Sequence, residues 1–118
     1  MENAKETLHK SPIEDNTYLD IKYVKSACGT AYLGVLRAID EYLLKKGVTP
    51  KELPKKIEEY EKALQKYLSV YNGKLTTQLK VIYNELHIAG YYRGLLQHTD
   101  MVKAVLKNAQ NFIDKIQK

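Results

Sequence analysis

The sequence predicts an all-α fold, an up-and-down four-helix bundle with a short extra N-terminal helix, in one domain covering residues 1–118. Three observations predict it. Apolar residues recur three and four apart over most of the chain, the spacing that places them on one face of a helix. Capping residues, prolines and glycines mark where these stretches begin and end. No alternation with the period of a strand runs for a useful length, and neither an internal repeat nor a low-complexity tract appears.

The elements follow in order. Residues 2–10 offer only Ala4 and Leu8 as apolar anchors, enough for a short helix. Ser11-Pro12-Ile13-Glu14 reads as a helix start, with a hydroxyl cap, a proline in the first turn and a glutamate three residues after the cap. Thr17 and Asp20 repeat that spacing, and from Thr17 to Lys46 the apolar stripe is Ile21, Val24, Cys28, Tyr32, Val35, Ile39 and Leu43. Beside it runs a stripe of small residues, Ala27, Ala31, Gly34 and Ala38. Small side chains let a neighbouring backbone come close, which offsets the roughly 1 kcal/mol that Gly29 and Gly34 each cost relative to alanine. This helix, roughly 40 Å long at the α-helical rise, is the expected central element.

Thr49-Pro50-Lys51-Glu52 forms a second capping signature, and a helix starting near Pro54 carries Ile57, Tyr60, Leu64, Tyr67, Leu68 and Tyr71. Gly47 and Gly73 read as left-handed stops after a helix. Leu75, Leu79, Ile82, Leu86 and Ala89 stripe the fourth helix. Thr99-Asp100 opens the fifth, which carries Val102, Val105, Leu106, Ala109, Phe112, Ile113 and Ile116. Short loops predict antiparallel neighbours.

Composition narrows the function. The net charge is +5, and of the 19 basic residues only Arg37 and Arg93 are arginines. The first twenty residues are net acidic and the later segments mildly basic, with no dense patch. A phosphate-reading surface favours the arginine fork, so nucleic acid or nucleotide binding has only weak support. No apolar run approaches the ~20 residues of a membrane span, and no membrane role is expected. The N-terminus lacks the basic-then-apolar order of a signal peptide. A lone cysteine, Cys28, excludes an internal disulfide and a cysteine zinc cluster. The three histidines are not spaced as metal ligands. No metal and no cofactor are expected, and the expected location is the cytoplasm.

The stretch from Leu86 to His98 concentrates chemistry: two of the three histidines, one of the two arginines, two tyrosines and two glycines. Arg93 could hold a phosphate and His98 move a proton near neutral pH, a pair suited to RNA cleavage by the ribose hydroxyl. Four intervening residues, however, place the two about 140° apart on an ideal helix, so the pair needs a bend, which Gly94 could supply. His87, Tyr91, Gly94 and His98 fall on one face if the helix continues, a groove able to admit a planar base or a partner's side chain. The candidate binding residues are therefore His87, Tyr91, Tyr92, Arg93, Gly94 and His98. Ten tyrosines stand against one phenylalanine and no tryptophan. Tyr18, Tyr23, Tyr32 and Tyr42 on the long helix and Tyr83, Tyr91 and Tyr92 on the fourth exceed the needs of a small core. They predict a homodimer formed through one tyrosine-bearing face.

Two stretches carry a resemblance to a known family. Ala27-Cys28-Gly29-Thr30-Ala31-Tyr32-Leu33-Gly34-Val35-Leu36-Arg37-Ala38, followed by Tyr42 to Gly47, is similar to the small-residue second helix of the HEPN superfamily. The stretch from Ile82 to Ile116 resembles that family's last two helices. The segments Lys10 to Tyr18 and Leu86 to Leu96 also resemble a family of short bacterial helical proteins of unknown function. The HEPN resemblance implies a small helical bundle, usually dimeric, and for some members a metal-independent ribonuclease, a toxin component or a partner of a nucleotidyltransferase. In the family's register His87 takes the place of the active arginine and Tyr92 the later position. Arg93 falls beyond the motif and is followed by Gly94, where the family prefers Asn, Asp or His. The expectation is a non-catalytic binding or interaction module, with Arg93 and His98 as the alternative catalytic pair.

Overall fold

The computed structural model describes residues 1–71 and 73–117. The chain is predominantly helical. A short helix α1 (Glu2–Leu8) leads into a two-stranded hairpin, β1 (Ile13–Glu14) and β2 (Thr17–Tyr18). The long helix α2 (Ile21–Lys45), about 38 Å at the α-helical rise, is followed by a 3₁₀ turn (Pro50–Glu52) and α3 (Ile57–Tyr67). A second 3₁₀ turn (Ser69–Tyr71) precedes α4 (Lys74–Ile82), which runs straight into a π-helix (Tyr83–Tyr92); α5 (Thr99–Gln117) closes the chain.

Helix α2 is the central element, as its stripe predicts. Val24, Cys28, Val35, Ile39 and Leu43 are buried along it, and α1, α5 and the π-helix all pack on it. Lys46 ends it with Gly47 left-handed at φ 95°. The Val48 amide donates to the Leu43 carbonyl at 3.0 Å and the Gly47 amide to that of Leu44 at 3.1 Å, a Schellman stop. The small-residue stripe divides. Ala27, Ala31 and Ala38 are buried, but a Cβ built on Gly34 meets nothing within 4 Å. Gly34 therefore serves no close approach; Gly29 does.

Four local expectations are corrected. Ser11-Pro12 starts no helix: the Ser11 hydroxyl accepts from the Asp20 amide at 3.0 Å and donates to the Pro12 carbonyl at 3.1 Å. It thereby ties the two ends of a hairpin whose turn, Asp15-Asn16, has φ of 51° and 61°, the two positive values of a type I′ turn. Thr17 sits in β2, and α2 is capped by the Asp20 carboxylate, which accepts from the Lys22 amide at 3.3 Å. The Thr49–Glu52 cap forms, with the Glu52 carboxylate accepting from the Thr49 amide at 3.1 Å and its hydroxyl at 2.7 Å, yet it caps one 3₁₀ turn and not the helix near Pro54. Gly73 is left-handed at φ 78° but opens α4 instead of closing α3; Asn72, which precedes it, lies outside the described residues.

The largest departure is the π-helix. Its ladder closes with the Arg93 amide donating to the Ile88 carbonyl at 2.9 Å, the i→i+5 bond of this helix type. Gly94 follows at φ 58° and ends it. Gly90 lies on the side facing α2, where a Cβ would stand 2.6 Å from Cys28 Sγ and 3.1 Å from the Glu85 carbonyl oxygen. The Cys28 side chain fills the space that a side chain at position 90 would need, so only glycine fits there without a shift.

Gly90→Ala is therefore expected to lose about 1–3 kcal/mol by overpacking, read as a lower urea midpoint. Gly34→Ala, in open space on the same central helix, is expected to be neutral or to gain up to about 1 kcal/mol. Equal effects of the two substitutions would contradict the close contact.

Candidate functional site

The register of the π-helix assembles a cluster of five rings. The His87 imidazole stacks on Tyr32 of α2, with centroids 4.6 Å apart and planes at 24°. Tyr83 lies 5.3 Å away, Tyr91 is nearly parallel at 6.2 Å, and Tyr92 meets the imidazole edge-on at 4.8 Å. Tyr91 and Tyr92 also meet each other edge-on at 5.2 Å. On an α-helix, residues five apart point about 140° away from one another. The i→i+5 bonding of a π-helix instead lets His87 touch both Tyr91 and Tyr92. Gly29 makes room for this wall: a Cβ there would stand 2.8 Å from Cδ1 of Tyr91.

The ring wall borders an open groove of about 680 Å³, within the size range of small-ligand sites. Gly29, Tyr32 and Leu33 contribute from α2, and His87 and Tyr91 from the π-helix. Lys55, Lys56, Ile57, Glu58 and Tyr60 line it from the start of α3. Tyr60 is buried and donates its hydroxyl to Asp40 Oδ1 at 3.0 Å. Burial and the neighbouring Asp40 carboxylate push the Tyr60 phenol far up. Burial raises the Asp40 carboxyl, partly opposed by the bond from Tyr60. Burial, with Tyr83 adding, pushes Tyr32 up to about 12, and burial lowers His87. At neutral pH, then, Tyr32, Tyr60 and His87 are all uncharged, while Lys55, Lys56 and Glu58 bring ionic side chains to the same groove.

The six candidate residues divide. His87, Tyr91 and Tyr92 come together. Arg93 is exposed immediately after the π-helix. Gly94 is packed on the start of α2, where its Cβ would be 3.3 Å from Lys25 and 3.4 Å from Ile21. His98 belongs to the scaffold: its Nδ1 accepts from the Asp100 amide at 3.2 Å, and its carbonyl accepts from the Val102 amide at 3.0 Å. It thus caps α5 in the role expected of Thr99, whose amide instead donates to the Asn16 carbonyl at 2.8 Å. The face expected to run from His87 through Gly94 to His98 is interrupted at Gly94, where the helix ends. Tyr60, Leu33 and the Lys55-Lys56 pair were not legible as site residues, because only the tertiary fold brings α3 to the ring wall. Among the described residues no group of three or more His, Cys, Asp or Glu could hold a metal ion, and no helix is long and apolar enough to cross a membrane.

A family profile described as a domain of unknown function (DUF5618) matches residues 1–118. Among solved structures, the chain is similar to a protein of unknown function from Dyadobacter fermentans. The two share 32% sequence identity and a TM-score of 0.78, over 98% of this chain and 84% of that one. No curated protein matches.

Because burial lowers His87, the unfolded chain takes up a proton near the ordinary histidine value of about 6.5 while the folded chain resists it to lower pH. The His87 contribution is therefore fully present above that value and lost as pH falls below it. Urea midpoints at about pH 7.5 and about pH 5.5 should fall less for His87→Phe, which keeps a ring in the stack, than for the wild type. An equal fall in both proteins would contradict the burial of the imidazole.

Proposed function

The chain belongs to the DUF5618 family, and we propose that it is a non-catalytic binding and interaction module that works as a homodimer in the bacterial cytoplasm. The single observation that carries this proposal is the ring wall of the π-helix, uncharged at His87 and Tyr32 and open to solvent along its outer edge. Tyr91 is 43% exposed, Tyr92 63% and Leu33 61%, while Tyr91 and Leu33 share the groove and Tyr92 packs on Tyr91. Aromatic side chains with apolar neighbours are enriched where proteins meet, and a contiguous exposed apolar surface favours a partner. A second copy of the chain is the proposed occupant of this ridge.

The HEPN-like character of the bundle is part of the proposal. It rests on the small-residue helix from Ala27 to Ala38, whose Cys28 and Gly29 lie against the π-helix. Absence of catalysis is supported by the position of His98, whose imidazole is engaged as a helix cap.

Sedimentation should show a dimer at high micromolar protein, and Leu33→Ser with Tyr92→Ser should weaken it about tenfold or more. A wild-type monomer at that concentration would remove the dimer. Total RNA incubated with micromolar protein should stay intact; cleavage that disappears in both Arg93→Ala and His98→Ala would establish a ribonuclease in place of this module.

A further inference from the structure

A second cleft, of about 480 Å³, lies between α1 and α5 beside the hairpin. Lys5 and His9 stand four apart at the end of α1, and Lys103 and Lys107 four apart on α5. Residues at that spacing share a helix face, and all four line this cleft. No aspartate or glutamate lines it. Among the described residues, none of these three lysines takes part in an ion pair. The nearest acid along α5, Asp100, lies three residues before Lys103 but does not line the cleft, and Asp114 accepts a bond from the Gln110 amide at 2.8 Å. Cations gathered from two helices around a cleft that no carboxylate lines repel one another and raise the potential within it. The floor between them is apolar: Leu8, Tyr18 and Leu106 are each at least 95% buried, and burial raises the Tyr18 phenol.

We propose that this cleft binds a small organic anion. A phosphate or similar oxyanion group sits among Lys5, Lys103 and Lys107, and an aromatic or aliphatic body lies on Leu8, Tyr18 and Leu106. An inorganic anion alone fills only a small part of the cleft of about 480 Å³. A neutral apolar molecule leaves the lysines unneutralised. A long nucleic-acid backbone fits less well, because the cleft has the volume of a small-ligand site and neither Arg37 nor Arg93 lines it.

Calorimetric titration of the full chain with 2-naphthyl phosphate tests the proposal directly. The ester is expected to bind, with 2-naphthol and inorganic phosphate each at least about tenfold weaker. Lys103→Gln with Lys107→Gln should lose at least about tenfold in affinity for the ester. Lys5→Gln, on the other helix, should also weaken it. All three positions are exposed, so each variant should keep the wild-type circular dichroism. Lys55→Gln with Lys56→Gln, in the ring-lined groove, should bind the ester as the wild type does. The proposal is overturned if the ester fails to bind, if 2-naphthol binds as tightly, or if the Lys103/Lys107 variant binds like the wild type. It is also overturned if a single-stranded RNA oligonucleotide displaces the ester at lower concentration than free nucleoside monophosphates do.

Discussion

The ring wall depends on one close approach, that of the π-helix to α2. Gly90 lies against Cys28, and Tyr91 covers Gly29. Each contact occupies the space a Cβ would need, so the two elements cannot slide or rotate past each other without a clash. Cys28 suits the position as a small, polarizable apolar group. It is fully buried, and burial pushes its thiol up to about 11, so it stays protonated and unreactive at neutral pH. With Gly90 and Gly29 holding the register, His87 is brought onto Tyr32, and the outer rings are left on the surface.

The sequence made the helices legible because burial leaves a periodic record. Val24, Cys28, Val35 and Ile39 of α2, and Val102, Val105, Ala109 and Phe112 of α5, are buried where their spacing places them. Gly47 and Thr49–Glu52 form the stop and the cap that their chemistry specifies. The hairpin was hidden because two-residue strands carry no alternation, and Ser11-Pro12 has the same composition in a turn as at a helix start. The π-helix was hidden for a different reason. Leu86 and Ala89 continue the α-helical spacing of Leu79 and Ile82, so nothing in the apolar pattern signals the change of hydrogen bonding. The glycines at 29 and 90 were the available signal, since each marks a backbone that something must approach closely.

The site residues show the same division between local and tertiary information. His87, Tyr91 and Tyr92 were recognisable as an unusual concentration of rings, and the fold gathers them with Tyr32 and Tyr83. Arg93 and His98 were linked only by a spacing, and the left-handed Gly94 and the cap on α5 assign them to separate local structures. The ring-lined groove and the lysine-lined cleft consequently differ in chemistry. One joins uncharged aromatic rings to Lys55, Lys56 and Glu58; the other gathers basic side chains around an apolar floor with no carboxylate lining it.

The central claim is that i→i+5 bonding from Tyr83 to Tyr92 creates the ring wall. Nuclear Overhauser contacts from the His87 imidazole protons in solution test it most directly. The structure predicts contacts from that ring to Tyr32, to Tyr91 and to Tyr92, whose centroids lie 4.6, 6.2 and 4.8 Å away. Contacts to Tyr91 with none to Tyr92 would mean an ordinary α-helix through this segment, and the wall as described would not exist.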